Sequence, residues 1–189
     1  MASLKIQDEK LLEGLTEVFR VFGYEGASLS RITKATGLQR ASLYHRFPGG
    51  KEEMAEAVLT RADNWFVSHI LAPLSESGTP SQRIKRMADR LHDFYCGGRK
   101  SCLLDSLSLD NKYDALRKHV KSSMAAWMGA LIAISEEAGL SKRIAQQRAE
   151  DALSRIQGSL VLARATKNRD PFERTLKELP ALLTKIGSK

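Results

Sequence analysis

The stretch that decides the fold is Ser28-Leu29-Ser30-Arg31-Ile32-Thr33-Lys34-Ala35-Thr36-Gly37-Leu38-Gln39-Arg40-Ala41-Ser42-Leu43-Tyr44-His45-Arg46-Phe47. Ser28 is a good N-cap for a short helix over about 29–36, and Gly37 stops it. Only Gly37 and Leu38 precede a second helical pattern from Gln39 to Phe47, closed by Pro48-Gly49-Gly50. So tight a connection predicts a helical corner. Leu29, Ile32, Ala35, Leu38, Leu43 and Phe47 are expected to hold the two helices together. The second helix then exposes Gln39, Arg40, Ser42, Tyr44 and His45, the parts of a helix-turn-helix. A helix with such tips fits a major groove: Arg40 suits a guanine, Gln39 an adenine and Ala41 a thymine methyl, while Ser42, Tyr44 and Arg46 suit phosphates. From Gly26 to Lys51 the chain carries Arg31, Lys34, Arg40, Arg46 and Lys51 with no Asp or Glu. Lys51 opens the next helix, adding its charge to the positive end of the helix dipole.

Outward from this corner, helical periodicity continues in both directions. Leu11, Leu12, Leu15, Val18, Phe19 and Phe22 make one apolar stripe over about 7–23, ended by Gly23. A fourth helix runs from Lys51 and gives out at Pro73. Thr79 with Pro80 starts a fifth, through Ile84, Met87, Leu91 and Phe94 to Gly97-Gly98. A short apolar piece from Cys102 to Leu109, long amphipathic patterns over 112–138 and 141–167, and a last helix from Pro171 to about Ile186 complete the chain. The fold class is all-α with about nine helices. The predicted organisation is a helix-turn-helix domain over 1–60 and a ligand-binding and dimerisation domain over 61–189.

At 189 residues the chain suits one large domain or two small ones. Its net charge is +8, with eight basic and eight acidic residues in 1–60, so the whole excess falls beyond residue 60. Net charge alone therefore does not locate a nucleic-acid face, and the acid-free run from Gly26 to Lys51 is the better candidate. Two cysteines in a chain of this size need no disulfide framework, and a reducing cytoplasm is the default location. The charged N-terminus lacks a secretory apolar region, and no run of 18 apolar residues suggests a membrane span. His45, His69, His92 and His119 stand without Cys or carboxylate at ligand spacing, so no metal site is expected. With no P-loop, dinucleotide fingerprint or nucleophile elbow, neither a cofactor nor an enzyme is expected.

Residue identities sharpen the reading. Leu43-Tyr44-His45-Arg46-Phe47-Pro48-Gly49-Gly50-Lys51-Glu52-Glu53-Met54 resembles the recognition segment of the TetR/AcrR family, and the extra glycine before the lysine is similar to its LmrA/YxaF-like branch. The resemblance is strongest from Asp8 to Val58 and traceable to Leu183. It departs at Arg46, where histidine is usual, and at Gln39, where a small hydroxyl residue often starts the helix. It implies a homodimeric repressor reading a palindromic double-stranded DNA operator, released when a small-molecule inducer binds the C-terminal domain. The DNA-facing set is then Ser28, Ser30, Arg31, Gln39, Arg40, Ala41, Ser42, Tyr44, His45, Arg46 and Lys51.

In the second part, Trp65, Phe66, Met87, Leu91, Phe94, Tyr95, Met124, Trp127 and Met128 form an aromatic and methionine set. At helical spacing such residues are core more often than pocket, yet together they suit a small apolar or aromatic ligand. His69, Tyr95 and Asn111 are candidate polar groups, and Cys102 is expected beside them. The pattern over 149–164 has small and apolar positions around much of the helix, more than one buried stripe requires. With the last helix it resembles the family's dimerising bundle, and Leu153, Ile156, Gly158, Leu160, Leu176, Leu179 and Leu183 are the expected interface. Burial inside the monomer is the alternative. Two other functional readings remain: a redox or electrophile sensor acting through Cys96 and Cys102 beside Arg99 and Lys100, and a helical interaction scaffold whose basic hairpin is merely solvated.

Overall fold

The computed structural model describes residues 2–108 and 113–185, with side chains from Asp8 onward. The expectations for Leu109 and Asn111 and for the end of the last helix at Ile186 lie outside the described residues. Nine α-helices are described, with no strand among the described residues: α1 (Ala2–Gly26), α2 (Leu29–Thr36), α3 (Arg40–Arg46), α4 (Gly50–Phe66), α5 (Pro80–Phe94), α6 (Leu103–Leu107), α7 (Asp114–Glu137), α8 (Lys142–Thr166) and α9 (Asp170–Thr184). No described helix is long and apolar enough to cross a membrane.

Local chemistry sets most boundaries. Gly23 leaves helical geometry at φ 66° and ψ −177°, kinking α1 where its apolar stripe ends. Thr79 and Gln82 form a reciprocal capping box with Pro80 in the first turn of α5. The fourth helix does not run evenly to Pro73. It ends at Phe66, widens into a π-helical turn over Val67–Leu71, then tightens into a 3₁₀ turn over Ala72–Ser75. Such widened turns are uncommon and concentrate at functional sites.

The chain divides into two compact units, one of residues 1–64 with 102–123 and one of residues 65–101 with 124–189. Residues 102–123 thus cluster with the N-terminal helices, although the sequence reading grouped them with the C-terminal part. In the first unit Leu15, Phe19, Ile32, Leu43, Met54, Val58 and Leu59 are fully buried, joined by Leu103 and Leu107 of α6 and by Leu116 and Val120 of α7. Ser106 Oγ donates to the Arg20 carbonyl at 3.1 Å, fastening α6 to α1. Asp63 on α4 accepts from Ser123 Oγ at 2.5 Å and meets His119 Nε2 at 2.7 Å, both from α7.

In the second unit, α9 packs along α5 and α8. Phe172, Leu179 and Leu183 of α9 and Ile156 of α8 have no exposed surface. Leu153, Leu160 and Leu176 are also buried within the chain, so six of the seven residues expected at a partner interface are core. The reason lies in spacing: these positions form the one stripe that α8 and α9 turn toward each other and α5. Gly158 alone of that set is exposed, and Val161 and Leu162, at 49% and 51% exposure, form the open apolar face.

Candidate nucleic-acid interface

The α2–α3 corner is built by short-range hydrogen bonds. Ser28 Oγ accepts the Arg31 backbone N–H, closing the first turn of α2. Gly37 adopts φ 71° and ψ 3°, and its N–H caps the Thr33 carbonyl. This left-handed residue lets the chain turn within three residues, and glycine adopts it without the Cβ penalty. Leu38 N–H then donates to Thr36 Oγ1 at 3.3 Å. Ala35, expected to face inward, is exposed. At that point α1 and α2 approach through backbone, since a methyl group on Gly14 would lie 3.0 Å from the Ala35 carbonyl oxygen.

Helix α3 buries one side chain, Leu43, and is anchored by it against the first core. Gln39, Arg40, Ala41, Ser42, Tyr44 and His45 are all exposed, and the Gln39 side chain makes no capping bond. Their polar tips stand together on one short helix, with Tyr44 46% exposed. Ser30 and Lys34 are exposed on α2.

The surrounding cations are less free than the sequence suggests. Arg31 donates through Nη1 to the Gly26 carbonyl at 2.7 Å, and its guanidinium lies 4.3 Å from the Phe22 ring centroid. This cation–π contact presents Arg31 in a fixed pose. Arg46, expected at a phosphate, is half-buried and ion-paired with Asp8. Lys51 donates from Nζ to the Tyr24 carbonyl at 2.9 Å, 4.3 Å above the Tyr24 ring and 4.0 Å from Glu25. Both basic groups hold the domain together, and no local sequence pattern announced their partners. Burial, with a hydrogen bond from the Tyr24 hydroxyl to Tyr113, pushes the Tyr24 phenol well above its ordinary value and keeps it neutral. The N-terminus of α4 is closed from within, because the Gly49 N–H donates to Glu53 Oε2 at 2.7 Å.

The aromatic set of the second part divides by exposure. His69 stacks on Trp65 at 4.5 Å between ring centroids, and Trp65 stacks on Phe94 at 5.1 Å. Phe66 meets Phe94 and Trp127 edge to face, at 5.8 and 4.8 Å. Trp65 is 41% exposed and Trp127 1%, so the run of rings leads from surface to interior. The Trp127 indole N–H is buried without a hydrogen-bond partner among the described residues. Met87, Leu91 and Tyr95 are buried, while Phe94, Met124 and Met128 are half-buried. Cys102, expected in this set, belongs instead to the first unit, where it precedes α6 as a buried free thiol. No metal-binding group of three His, Cys, Asp or Glu occurs among the described residues.

A capped helix, a three-residue turn and a second helix that exposes a set of hydrogen-bonding tips define a DNA-binding regulator of the helix-turn-helix class. Residues 11–58 match the description "Bacterial regulatory proteins, tetR family", and residues 80–178 match "Transcriptional regulator LmrA/YxaF-like, C-terminal domain". The chain belongs to the TetR family of transcriptional regulators, in its LmrA/YxaF-like group. It is 26% identical over 181 residues to the HTH-type transcriptional regulator LmrA of Bacillus subtilis, covering 93% of this chain and 95% of that one. The uncharacterized regulator YxaF of the same organism is 27% identical over 186 residues, covering 95% and 96%. A solved TetR-family regulator from Agrobacterium tumefaciens superposes with a TM-score of 0.83 at 16% identity, over 96% of this chain and 99% of that one, which bears on the fold. These relatives are transcriptional regulators, not enzymes.

Proposed function

We propose that the protein is a homodimeric, ligand-responsive repressor of the cytoplasm that reads a palindromic operator with α3. The observation that carries this reading is the exposure of Arg40, Ser42, Tyr44 and His45 together on α3, a helix anchored by one buried leucine. Arg40 and Gln39 read bases, Ala41 meets a thymine methyl, and Ser28, Ser30, Ser42, Tyr44 and Arg31 contact the backbone. Arg46 and Lys51 contribute positive potential while remaining tied to Asp8 and Tyr24. The dimer forms through the open face of α8 at Gly158, Val161 and Leu162.

The inducer is a small apolar or aromatic molecule taken up by the Trp65, Phe66, Phe94 and Trp127 run. The unmet Trp127 N–H supports this, because a buried orphan donor costs about 1–3 kcal/mol and a ligand acceptor relieves it. Selection of random duplexes, followed by binding across a salt series, tests the DNA reading. A palindrome with half-sites about one helical turn apart is expected. Enrichment of no sequence, with binding lost at physiological salt, would favour a scaffold in which the basic hairpin is only solvated.

A further inference from the structure

The C-terminal unit carries a groove apart from the aromatic run. The π-helical and 3₁₀ turns after α4, the start of α5 and the end of α7 enclose a groove of about 480 Å³, within the size range of ligand pockets. Its walls are apolar: Val67, Leu71, Leu74, Ala130, Ala133 and Ile134 line it, and Val67 is 52% exposed. The polar groups in its lining include Arg83 and Glu137. None of the residues in the aromatic run lines it.

The chemistry of Arg83 is unusual for a merely structural ion pair. Its side chain is 9% exposed, whereas that of its partner Glu137 is 55% exposed. Nη1 donates to the Leu74 carbonyl at 2.9 Å, Nη2 pairs with Glu137, and the buried Nε–H has no partner among the described residues. A guanidinium cannot shed its proton to escape burial, so each unmet donor is a standing cost. The Nε–Nη2 edge is the side that carboxylates grip with two parallel hydrogen bonds. Glu137 uses half of that fork.

The geometry points to a site for an apolar carboxylate, whose hydrocarbon lies along Val67, Leu71 and Ile134 and whose carboxylate takes the Nε–Nη2 fork of Arg83. Glu137 is the group displaced, and its exposure lets it turn to water at little cost. The widened turn at Val67–Leu71 forms one wall of the groove, where a regular helix would carry these side chains at a different rotation. The proposal does not depend on operator release.

Calorimetric titration of the full-length protein without DNA tests it, using octanoate, octanol and octylamine as probes. Octanoate is expected to bind once per chain, with octanol much weaker and octylamine silent. Glu137→Gln removes the competing carboxylate and should tighten octanoate roughly tenfold, the worth of one charge-assisted hydrogen bond. Ala133→Trp, at an exposed wall position, should abolish binding while leaving the thermal midpoint unchanged. No heat with octanoate, equal binding of octanol, or octanoate binding indifferent to both substitutions would overturn the assignment. Because DNA is absent, the outcome is separate from whether α3 reads an operator.

Discussion

Helices α3 and α8 use similar spacing to opposite ends. Helix α3 is seven residues long and buries only Leu43; α8 is 25 residues long and buries eight side chains. An exposed helix has few structural obligations, so its polar residues are free to state its function, and Gln39 to His45 do so. A long helix gripped by α9 spends its apolar residues on the core. Leu153, Ile156 and Leu160 therefore look like a partner surface in sequence and are interior in the fold. What α8 leaves open is the narrower set Gly158, Val161 and Leu162.

Substitutions on α8 give the largest test of that contrast. Ile156→Ala should cost about 2–5 kcal/mol in chemical denaturation, the range for deleting a buried aliphatic side chain. Leu162→Ala should alter chain stability by about 0.5 kcal/mol or less, yet raise the dimer dissociation constant in sedimentation. The reverse ranking would put the partner surface back on the buried stripe. In the first unit, Gly14→Val forces side-chain atoms toward the Ala35 carbonyl and should cost about 1–3 kcal/mol. Because it shifts α2 and not the tips of α3, DNA affinity should fall alike for all sequences.

The Tyr24 phenol supplies a pH test confined to the first unit. Its folded-state value is raised by burial and by Tyr113, so the fold favours the neutral form. That contribution is complete below the ordinary tyrosine value, near 10, and is lost as pH rises beyond it. Denaturation of the wild type should show falling stability from about pH 10 upward, and Tyr24→Phe should flatten that alkaline limb. An identical limb in both proteins would assign the loss to other groups. A small effect of opposite sign is expected at Gly158→Ala, where an added methyl meets nothing within 4 Å. The chain itself should gain about 0.5–1 kcal/mol from the better helix former. A weaker dimer despite that gain would mean that two copies approach closely at this position.

Sequence legibility follows the range of the interactions. The Ser28 cap, the Gly37 turn, the Thr79-Pro80 start and the Gly23 break are local, and each was readable from neighbouring residues. The exposure of α3 followed from the same periodicity that buried Leu43. By contrast, Arg46 finds Asp8 across 38 positions and Lys51 finds the Tyr24 carbonyl across 27, so both appeared as free cations until the fold was known. Ala35 was misplaced because Gly14 brings backbone, not side chain, against it. The buried pose of Arg83 was equally hidden, since its partners Leu74 and Glu137 belong to other elements.

The central claim is that α3 reads base sequence through Arg40. Comparing the duplexes selected from a random pool by the wild type and by Arg40→Ala tests it most directly. The account predicts that the substituted protein still folds and dimerises but loses preference at one position in each half-site, with about 1–3 kcal/mol less discrimination there. Identical selected sequences for the two proteins would contradict it and remove Arg40 from the reading surface.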